Sequence, residues 1–201
     1  INNRYYGVRS NTLQCAPTNP ATLHIINLNV FSNHYEGIMN IKYELMTQSD
    51  CPAVAQLLQS NSESQQGGLL GEYPQAKVNA MFSGSLTTVI ARDGNKIIAV
   101  VFSFDPHSSS LPAIAHLIIK QHTEIIQNNW FYGPVCIDRN YRGKNILKSL
   151  FDNVCSYNQG KPIAFINADN LRSLFAHKKI GMSNVTNFEF NGTPYHLMVG
   201  N

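Results

Sequence analysis

The sequence predicts one α/β domain, with a mixed sheet of about seven strands and helices on both faces. Three observations lead to this fold class. β-rich runs alternate with helix-periodic runs from Met39 onward, two hairpin-type turn sequences separate neighbouring β-rich runs, and 43% of the 201 residues are apolar. A chain of this length can bury one ordinary core and has little left for a second.

The individual elements follow from hydrophobic periodicity and from local start and stop signals. Asp93-Gly94-Asn95 and Asn191-Gly192 are typical hairpin turns, Pro52 suits the first turn of a helix, and Asp169 suits a helix cap. In chain order we predict strand 41–46, helices 53–58 and 73–82, strands 86–91 and 96–104, helix 111–126, strand 130–137, helix 143–157, strand 162–166, helix 169–179, and strands 185–190 and 195–199.

The first forty residues differ in composition from the rest. They contain one acidic residue, Glu36, and are rich in Asn, Thr and Pro. We predict that residues 1–38 form an N-terminal extension outside the core fold and that residues 39–201 form the domain. An added strand or arm that packs on the domain or on a partner chain is the alternative.

Composition and charge argue against several classes of protein. The net charge is +3, charged residues make up 13% of the chain, and Lys and Arg form no block, so nucleic acid is not an expected partner. No apolar run approaches the roughly 18 to 20 residues that span a bilayer, and no signal peptide is evident. We therefore expect a cytoplasmic protein without a membrane partner.

The four cysteines are widely spaced along the chain. Cys15, Cys51, Cys136 and Cys155 form no C-x-x-C motif and no paired Cys/His spacing. This arrangement predicts neither a disulfide framework nor a metal site.

The most informative junction joins the strand that ends near residue 137 to the helix that includes Ile146. A helix N-terminus exposes unpaired backbone N–H groups and a positive dipole, which favour phosphate. In the turn between them, Gly143 and Asn145 flank Lys144, and Arg142 precedes them. Glycine lets backbone approach a ligand closely, and the two cations add donors beside it. The turn therefore predicts a pyrophosphate site; an ordinary strand-to-helix turn with a surface basic pair is the alternative.

This junction resembles a known signature. Asn140-Tyr-Arg-Gly-Lys-Asn145 is similar to the acyl-CoA signature Q/R-x-x-G-x-G/A of the GNAT acyltransferase superfamily. Gly143, the Arg142 before it and the hydrophobic Ile146 agree with the signature, whereas its first and last positions are Asn in this chain. The resemblance implies that residues 142–146 hold the pyrophosphate of coenzyme A.

A second segment, residues 170–182, is similar to the N-x-x-A-x-x-x-Y-x-x-x-G-F segment of the same superfamily, with the same spacing. Asn170, Ser173 and His177 stand at i, i+3 and i+7 and so share one helix face. The resemblance implies that this face lies along the pantetheine arm and that Asn170 contacts it. His177 occupies the position of the family's Tyr, whose hydroxyl approaches the thioester sulfur.

The resemblance covers about residues 41–200 and implies a GNAT-like three-layer fold. It implies direct transfer of an acetyl group from acetyl-CoA, as co-substrate, to an amine of a small-molecule or peptide acceptor, with no metal. The splayed fourth strand, here Val135, Cys136 and Ile137, is then expected to give a backbone N–H to the thioester oxygen. A homodimer through the final hairpin or the N-terminal arm is a further expectation from the fold.

Three residues are catalytic candidates. His177 can donate a proton to the leaving thiolate, because the ordinary histidine pKa lies near 6.5. Asp105 follows the third predicted strand and can reach a cleft mouth as a base, with capping of its own loop as the alternative. Tyr132 can line the acceptor site, with a core aromatic as the alternative. The sequence does not identify the general base, and a chain of water molecules to solvent is another candidate.

Two further hypotheses follow from the departures from the family pattern. Two signature positions are Asn, the Tyr is His177, and the strand 130–136 carries no carboxylate. A catalytically inactive CoA-binding protein, acting as a sensor or interaction module, fits these departures. A module that binds a partner through residues 1–40 is the third hypothesis. Aminoglycosides, polyamines, amino acids and protein N-termini all remain open as acceptors.

Overall fold

The structure is a computed structural model that describes residues 40–201. These residues form seven strands and six α-helices. In chain order they are β1 (Ile41–Leu45), α1 (Cys51–Gln59), α2 (Gln75–Gly84), β2 (Thr87–Asp93), β3 (Lys96–Phe104), α3 (Ala113–Gln121), α4 (Thr123–Ile126), β4 (Trp130–Ile137), α5 (Ile146–Tyr157), β5 (Pro162–Asn167), α6 (Leu171–Lys179), β6 (Met182–Phe190) and β7 (Thr193–Gly200).

One sheet contains all seven strands, in the order β1-β2-β3-β4-β5-β7-β6. The β4–β5 pair is parallel and the other pairs are antiparallel. Both predicted hairpins are present, because β2 and β3 are joined at Gly94 and β6 and β7 at Gly192. The predicted α/β class and mixed sheet of about seven strands are confirmed.

Each face of the sheet buries its own hydrophobic core. The core on one face joins apolar residues of α1, α2, α3 and α4 to the sheet, and includes Leu58, Ile114 and Phe131. The core on the other face joins α5 and α6 to the sheet, and includes Leu150 and Trp130. Successive side chains of a strand point to opposite faces, which is why the neighbours Trp130 and Phe131 belong to different cores. Helices therefore cover both faces, as predicted.

The helices predicted over 53–58 and 73–82 are observed within two residues of those bounds. The other three differ in continuity, in starting residue or in the capping residue. The helix predicted over 111–126 is broken at His122, whose backbone leaves the helical region (φ −131°, ψ 44°) and whose ring packs edge-on against Phe188. The helix predicted from Gly143 begins at Ile146, because Gly143 and Asn145 have positive φ values of 79° and 61° that a right-handed helix cannot contain.

The third difference concerns the start of α6. Asn170, rather than the predicted Asp169, caps this helix: its side-chain oxygen accepts a hydrogen bond from the Ser173 backbone N–H at 3.1 Å.

The predicted N-terminal extension, residues 1–38, lies outside the described residues, and so does Cys15. Among the helices between residues 40 and 201, none is long and apolar enough to cross a membrane.

Candidate active site

The sheet opens into a wedge between its two parallel strands. β4 pairs with β5 only at Trp130 and Phe131. Beyond these residues β4 stays paired with β3 as far as Ile137, while β5 stays paired with β7 as far as Asn167. The two halves of the sheet therefore diverge, and the strand edges that face each other across the wedge are not paired with each other.

The wedge is the centre of a cleft of about 1410 Å³. This volume exceeds the roughly 300 to 1000 Å³ of ordinary small-molecule pockets. Residues of both hydrophobic cores line it, Phe131 and Tyr195 from one core and Tyr132 and Ile146 from the other. The cleft therefore passes through the sheet, and a long ligand entering along α5 can meet a second ligand from the α1–α2 side.

The open edge of β4 offers backbone donors to the cleft. The Asp138 N–H donates to the Ile98 carbonyl of β3 at 2.8 Å, so the N–H of Cys136, two residues earlier, also faces β3. Because backbone N–H groups alternate between the two sides of a strand, those of Val135 and Ile137 face the wedge. Of the three predicted residues, Val135 and Ile137 thus present donors to the cleft.

The turn after β4 leads from this edge to the N-terminus of α5. Gly143 has a φ of 79°, and a Cβ added to it would meet nothing within 4 Å. The side chain of Asn145 does not cap α5, although the first four N–H groups of a helix lack intrahelical partners. Gly143, Asn145 and Ile146 line the cleft. A bare helix N-terminus beside open space at a glycine is a suitable binding site for phosphate.

The two arginines of this turn contact the loop between α1 and α2. Arg142 donates to the side-chain oxygen of the buried Asn61 at 2.7 Å and to the Ile137 carbonyl at 3.2 Å. Arg139 donates to the carbonyls of Ser60 and Gln65. The arginines therefore tie the predicted phosphate turn to the α1–α2 loop.

Lys144 does not line the cleft. Its ammonium lies 5.2 Å from the centroid of the Tyr141 ring. The cations that line this end of the cleft are thus Arg139, Arg142 and Lys148, whereas the prediction was Arg142 and Lys144.

The predicted face of α6 borders the cleft. Asn170, Ser173 and His177 all line it. Asn170 has structural partners for its whole side chain, since its oxygen caps α6 and its nitrogen lies 3.5 Å from the Gly68 carbonyl of the α1–α2 loop. Of these three residues, His177 has the side chain best suited to proton transfer.

The tautomer of His177 follows from its hydrogen bonds. Its Nδ1 lies 2.7 Å from the Ser173 carbonyl, and a carbonyl oxygen only accepts, so Nδ1 carries the proton. The neutral ring then has a lone pair on Nε2, which makes no hydrogen bond within the described residues. Burial lowers the pKa of His177 from its ordinary value, and the hydrogen bond to Ser173 opposes this only in part. At pH 7 the ring is therefore predominantly neutral, and Nε2 accepts a proton before it can donate one.

Tyr132 lines the cleft with its ring. The ring packs edge-on against Phe151 and His177, with centroids 5.5 and 5.6 Å away. Its hydroxyl is buried and has no hydrogen-bond partner among the described residues, and burial raises the pKa of Tyr132. This arrangement corresponds to the core-aromatic alternative, in which the hydroxyl takes no part in acceptor binding.

Replacing Tyr132 with phenylalanine should therefore stabilise the protein. An unpaired buried hydroxyl costs about 1 to 3 kcal/mol, so Tyr132→Phe should raise the free energy of unfolding in urea by about 1 kcal/mol. The matched control is Tyr73→Phe, which removes a buried hydroxyl that donates to the Leu70 carbonyl at 3.1 Å and should destabilise. Equal losses of stability in the two variants would contradict the prediction.

Asp105 is not brought to the cleft. It is exposed after the end of β3, and its carboxylate accepts a hydrogen bond from the His107 backbone N–H at 2.8 Å. Asp105 therefore caps its own loop, which is the alternative to its role as a catalytic base. The carboxylates that do line the cleft are Glu63 in the α1–α2 loop and Asp169 before α6.

Sequence patterns did not single out two residues that the fold brings to the cleft. Asn61 and Glu63 lie in a polar loop without a motif, and only the tertiary fold brings them opposite the turn after β4. Asn61 is buried, with 3% of its surface exposed, which an isolated Asn in a polar stretch does not indicate.

Several solved structures that this chain resembles are acetyltransferases by name. An acetyltransferase of the GNAT family from Streptococcus pneumoniae aligns with a TM-score of 0.58 at 9% identity, over 79% of this chain and 98% of that one. The putative acetyltransferase yncA from Salmonella typhimurium, with its cofactor acetyl-CoA, aligns with a TM-score of 0.58 at 12% identity, over 80% and 92%. NAA60 from Arabidopsis thaliana, in complex with acetyl-CoA, aligns with a TM-score of 0.57 at 16% identity, over 79% and 97%.

No protein-family profile and no curated protein sequence matches the chain. The structural likeness nevertheless shows that residues 40–201 have the GNAT fold, as the two sequence motifs predicted.

Proposed function

We propose that the protein is an N-acyltransferase that transfers an acetyl group from acetyl-CoA directly to an amine. The observation that carries the proposal is the wedge between β4 and β5. It joins free backbone donors at Val135 and Ile137 to a bare helix N-terminus at Ile146 along one continuous cleft. A thioester beside the donors and a pyrophosphate beside the helix are the groups at the two ends of the pantetheine arm of acetyl-CoA.

The proposed chemistry uses the chain's own groups in a fixed order. The N–H of Val135 or Ile137 donates to the thioester oxygen as charge develops there; one such donor is typically worth about 2.7 to 4 kcal/mol of barrier. The amine nitrogen attacks the carbonyl carbon, the C–N bond forms, and His177 Nε2 takes the proton that the nitrogen loses. When the C–S bond breaks, the imidazolium returns that proton to the sulfur. His177 thus serves both as the missing base and as the donor to the thiolate.

Direct transfer is favoured over an acyl-cysteine intermediate. Cys136 borders the cleft, but its sulfur points toward the Leu57 carbonyl at 3.7 Å. Burial, with a smaller contribution from Asp138, raises the pKa of Cys136 to about 12. A thiol with so high a pKa supplies almost no thiolate nucleophile at neutral pH.

The first test combines calorimetric titration of the full chain with acetyl-CoA and a thiol-release assay with an amine panel. We expect micromolar binding, and release of coenzyme A that depends on both amine and protein. Binding without release for any amine would support the inactive CoA-binding protein instead. No binding of acetyl-CoA would overturn both functions.

A further inference from the structure

The part of the cleft on the α1–α4 face has walls made of aromatic and aliphatic side chains. We call this part the acceptor chamber and define it by five side chains from five separate segments of the chain: Tyr73, Phe104, Phe131, Phe165 and Tyr195. All five belong to, or pack against, the core on that face. The Tyr195 ring stacks on Phe188 at 5.6 Å and meets Phe165 edge-on at 6.5 Å, so the wall is held by ring contacts.

Few charges enter the acceptor chamber. The carboxylate on this side is Glu63, and together with burial, the larger cause, it raises the pKa of the Tyr195 hydroxyl. The ammonium is that of Lys77, which is fixed at the rim because it donates to the Glu72 carbonyl at 2.7 Å and lies 4.2 Å from the centroid of the Tyr73 ring. The chamber therefore offers one anion near a tyrosine hydroxyl and one fixed cation at the rim.

The α1–α2 loop forms one wall of the cleft, between the turn after β4 and the start of α6. Its Gly68 carbonyl reaches toward Asn170 at the start of α6, while Arg139 and Arg142 hold its other end to the turn after β4. A short bridge between Ser62 and Leu69 closes the loop on itself. A loop that is fixed at both ends restricts the width of the cleft, which suits a small acceptor better than an extended chain.

We propose that the acceptor is a small arylalkylamine, a primary amine with a single positive charge and an aromatic body. This inference rests on the proposed acetyl transfer. The rings of the chamber remove the aromatic body from water, and Glu63 attracts the ammonium, which gives its first proton to solvent water before the neutral nitrogen attacks. A polyamine or aminoglycoside would bring further ammonium groups against Lys77 and aromatic walls with no carboxylate to pair them. An acceptor carboxylate would be repelled by Glu63.

The test compares 2-phenylethylamine, spermidine and a tetrapeptide with N-terminal phenylalanine in the thiol-release assay with acetyl-CoA. We expect kcat/KM for 2-phenylethylamine to exceed that for each of the other two at least tenfold. Glu63→Gln should lower kcat/KM for 2-phenylethylamine about tenfold or more. Glu189→Gln, an exposed carboxylate on β6 outside the cleft, should leave it unchanged.

Three outcomes would overturn the inference: faster turnover of spermidine, faster turnover of the peptide, or no effect of Glu63→Gln. A calorimetric titration of 2-phenylethylamine into the protein loaded with coenzyme A separates this inference from the proposed function. Coenzyme A bound without amine binding means that only the acceptor class is wrong. No binding of coenzyme A or acetyl-CoA means that the proposed function fails as well.

Discussion

Replacing His177 with phenylalanine is expected to lower kcat about 100-fold while leaving the affinity for acetyl-CoA within about threefold. Positioned acid–base groups contribute roughly 10²- to 10⁴-fold to the rates of proton-transfer reactions. His177 is 4% exposed and holds its Nδ1 proton against the Ser173 carbonyl, so phenylalanine can fill the site while removing the Nε2 lone pair. Thiol release measures kcat, and calorimetry measures affinity.

The pH dependence distinguishes a base from an acid at this position. Burial lowers the pKa of His177 from its ordinary value of about 6.5. Its Nε2 should therefore be unprotonated, and able to accept a proton, at any pH above that lowered pKa. If Nε2 accepts the amine proton, kcat/KM expressed per neutral amine should be flat above that pH and should fall as the pH drops through the lowered pKa. If His177 instead had to be protonated before the reaction, as a proton donor to the thiolate, activity would be lost as the pH rises through its pKa.

The matched control is His116→Phe, which changes an exposed histidine of α3 outside the cleft. It should retain full activity and the acidic limb of the profile. An acidic limb that persists in His177→Phe, or a kcat equal to that of the unchanged protein, would show that His177 transfers no proton.

The sequence could predict the fold because most of the local signals agreed with the final structure. Gly94, Asn191 and Gly192 have the positive φ values that hairpin turns need. Strand runs such as 96–104 have the predicted bounds. The misplaced boundaries are those set by tertiary contacts or by special backbone. The helix breaks at His122, whose ring packs against Phe188. The hydrophobic periodicity of one segment contains no information about a contact with a residue 66 positions away.

The positions in the candidate site were predictable in part, since the α6 face lines the cleft but Asp105 and Lys144 do not. The spacing of Asn170, Ser173 and His177 fixes a common helix face, and that face borders the cleft. The direction of proton transfer at His177 depends on a hydrogen bond to Ser173 and on burial, and neither can be inferred from residue type. Glu63 is one of several polar residues in a loop without a motif, and only the fold brings it to the cleft beside Tyr195.

Replacing Gly143 with alanine is expected to weaken acetyl-CoA binding at least tenfold. The φ of Gly143 is 79°, which an L-residue adopts at a cost of about 1 kcal/mol. In the free protein the added Cβ meets nothing within 4 Å, so backbone strain alone should reduce stability. The open space lies in the cleft beside the N-terminus of α5, where a methyl group would keep the pyrophosphate from the backbone N–H groups.

Gly192→Ala provides a control with the same backbone strain. Gly192 has a φ of 75° and is equally open at its Cβ position, but it lies in the β6–β7 turn and does not line the cleft. Both variants should therefore unfold at similarly reduced urea concentrations, and only Gly143→Ala should lose affinity for acetyl-CoA. Equal affinities in the two variants would mean that the phosphate lies elsewhere. The bare N-terminus of α5 would then have to be explained by water rather than by a ligand.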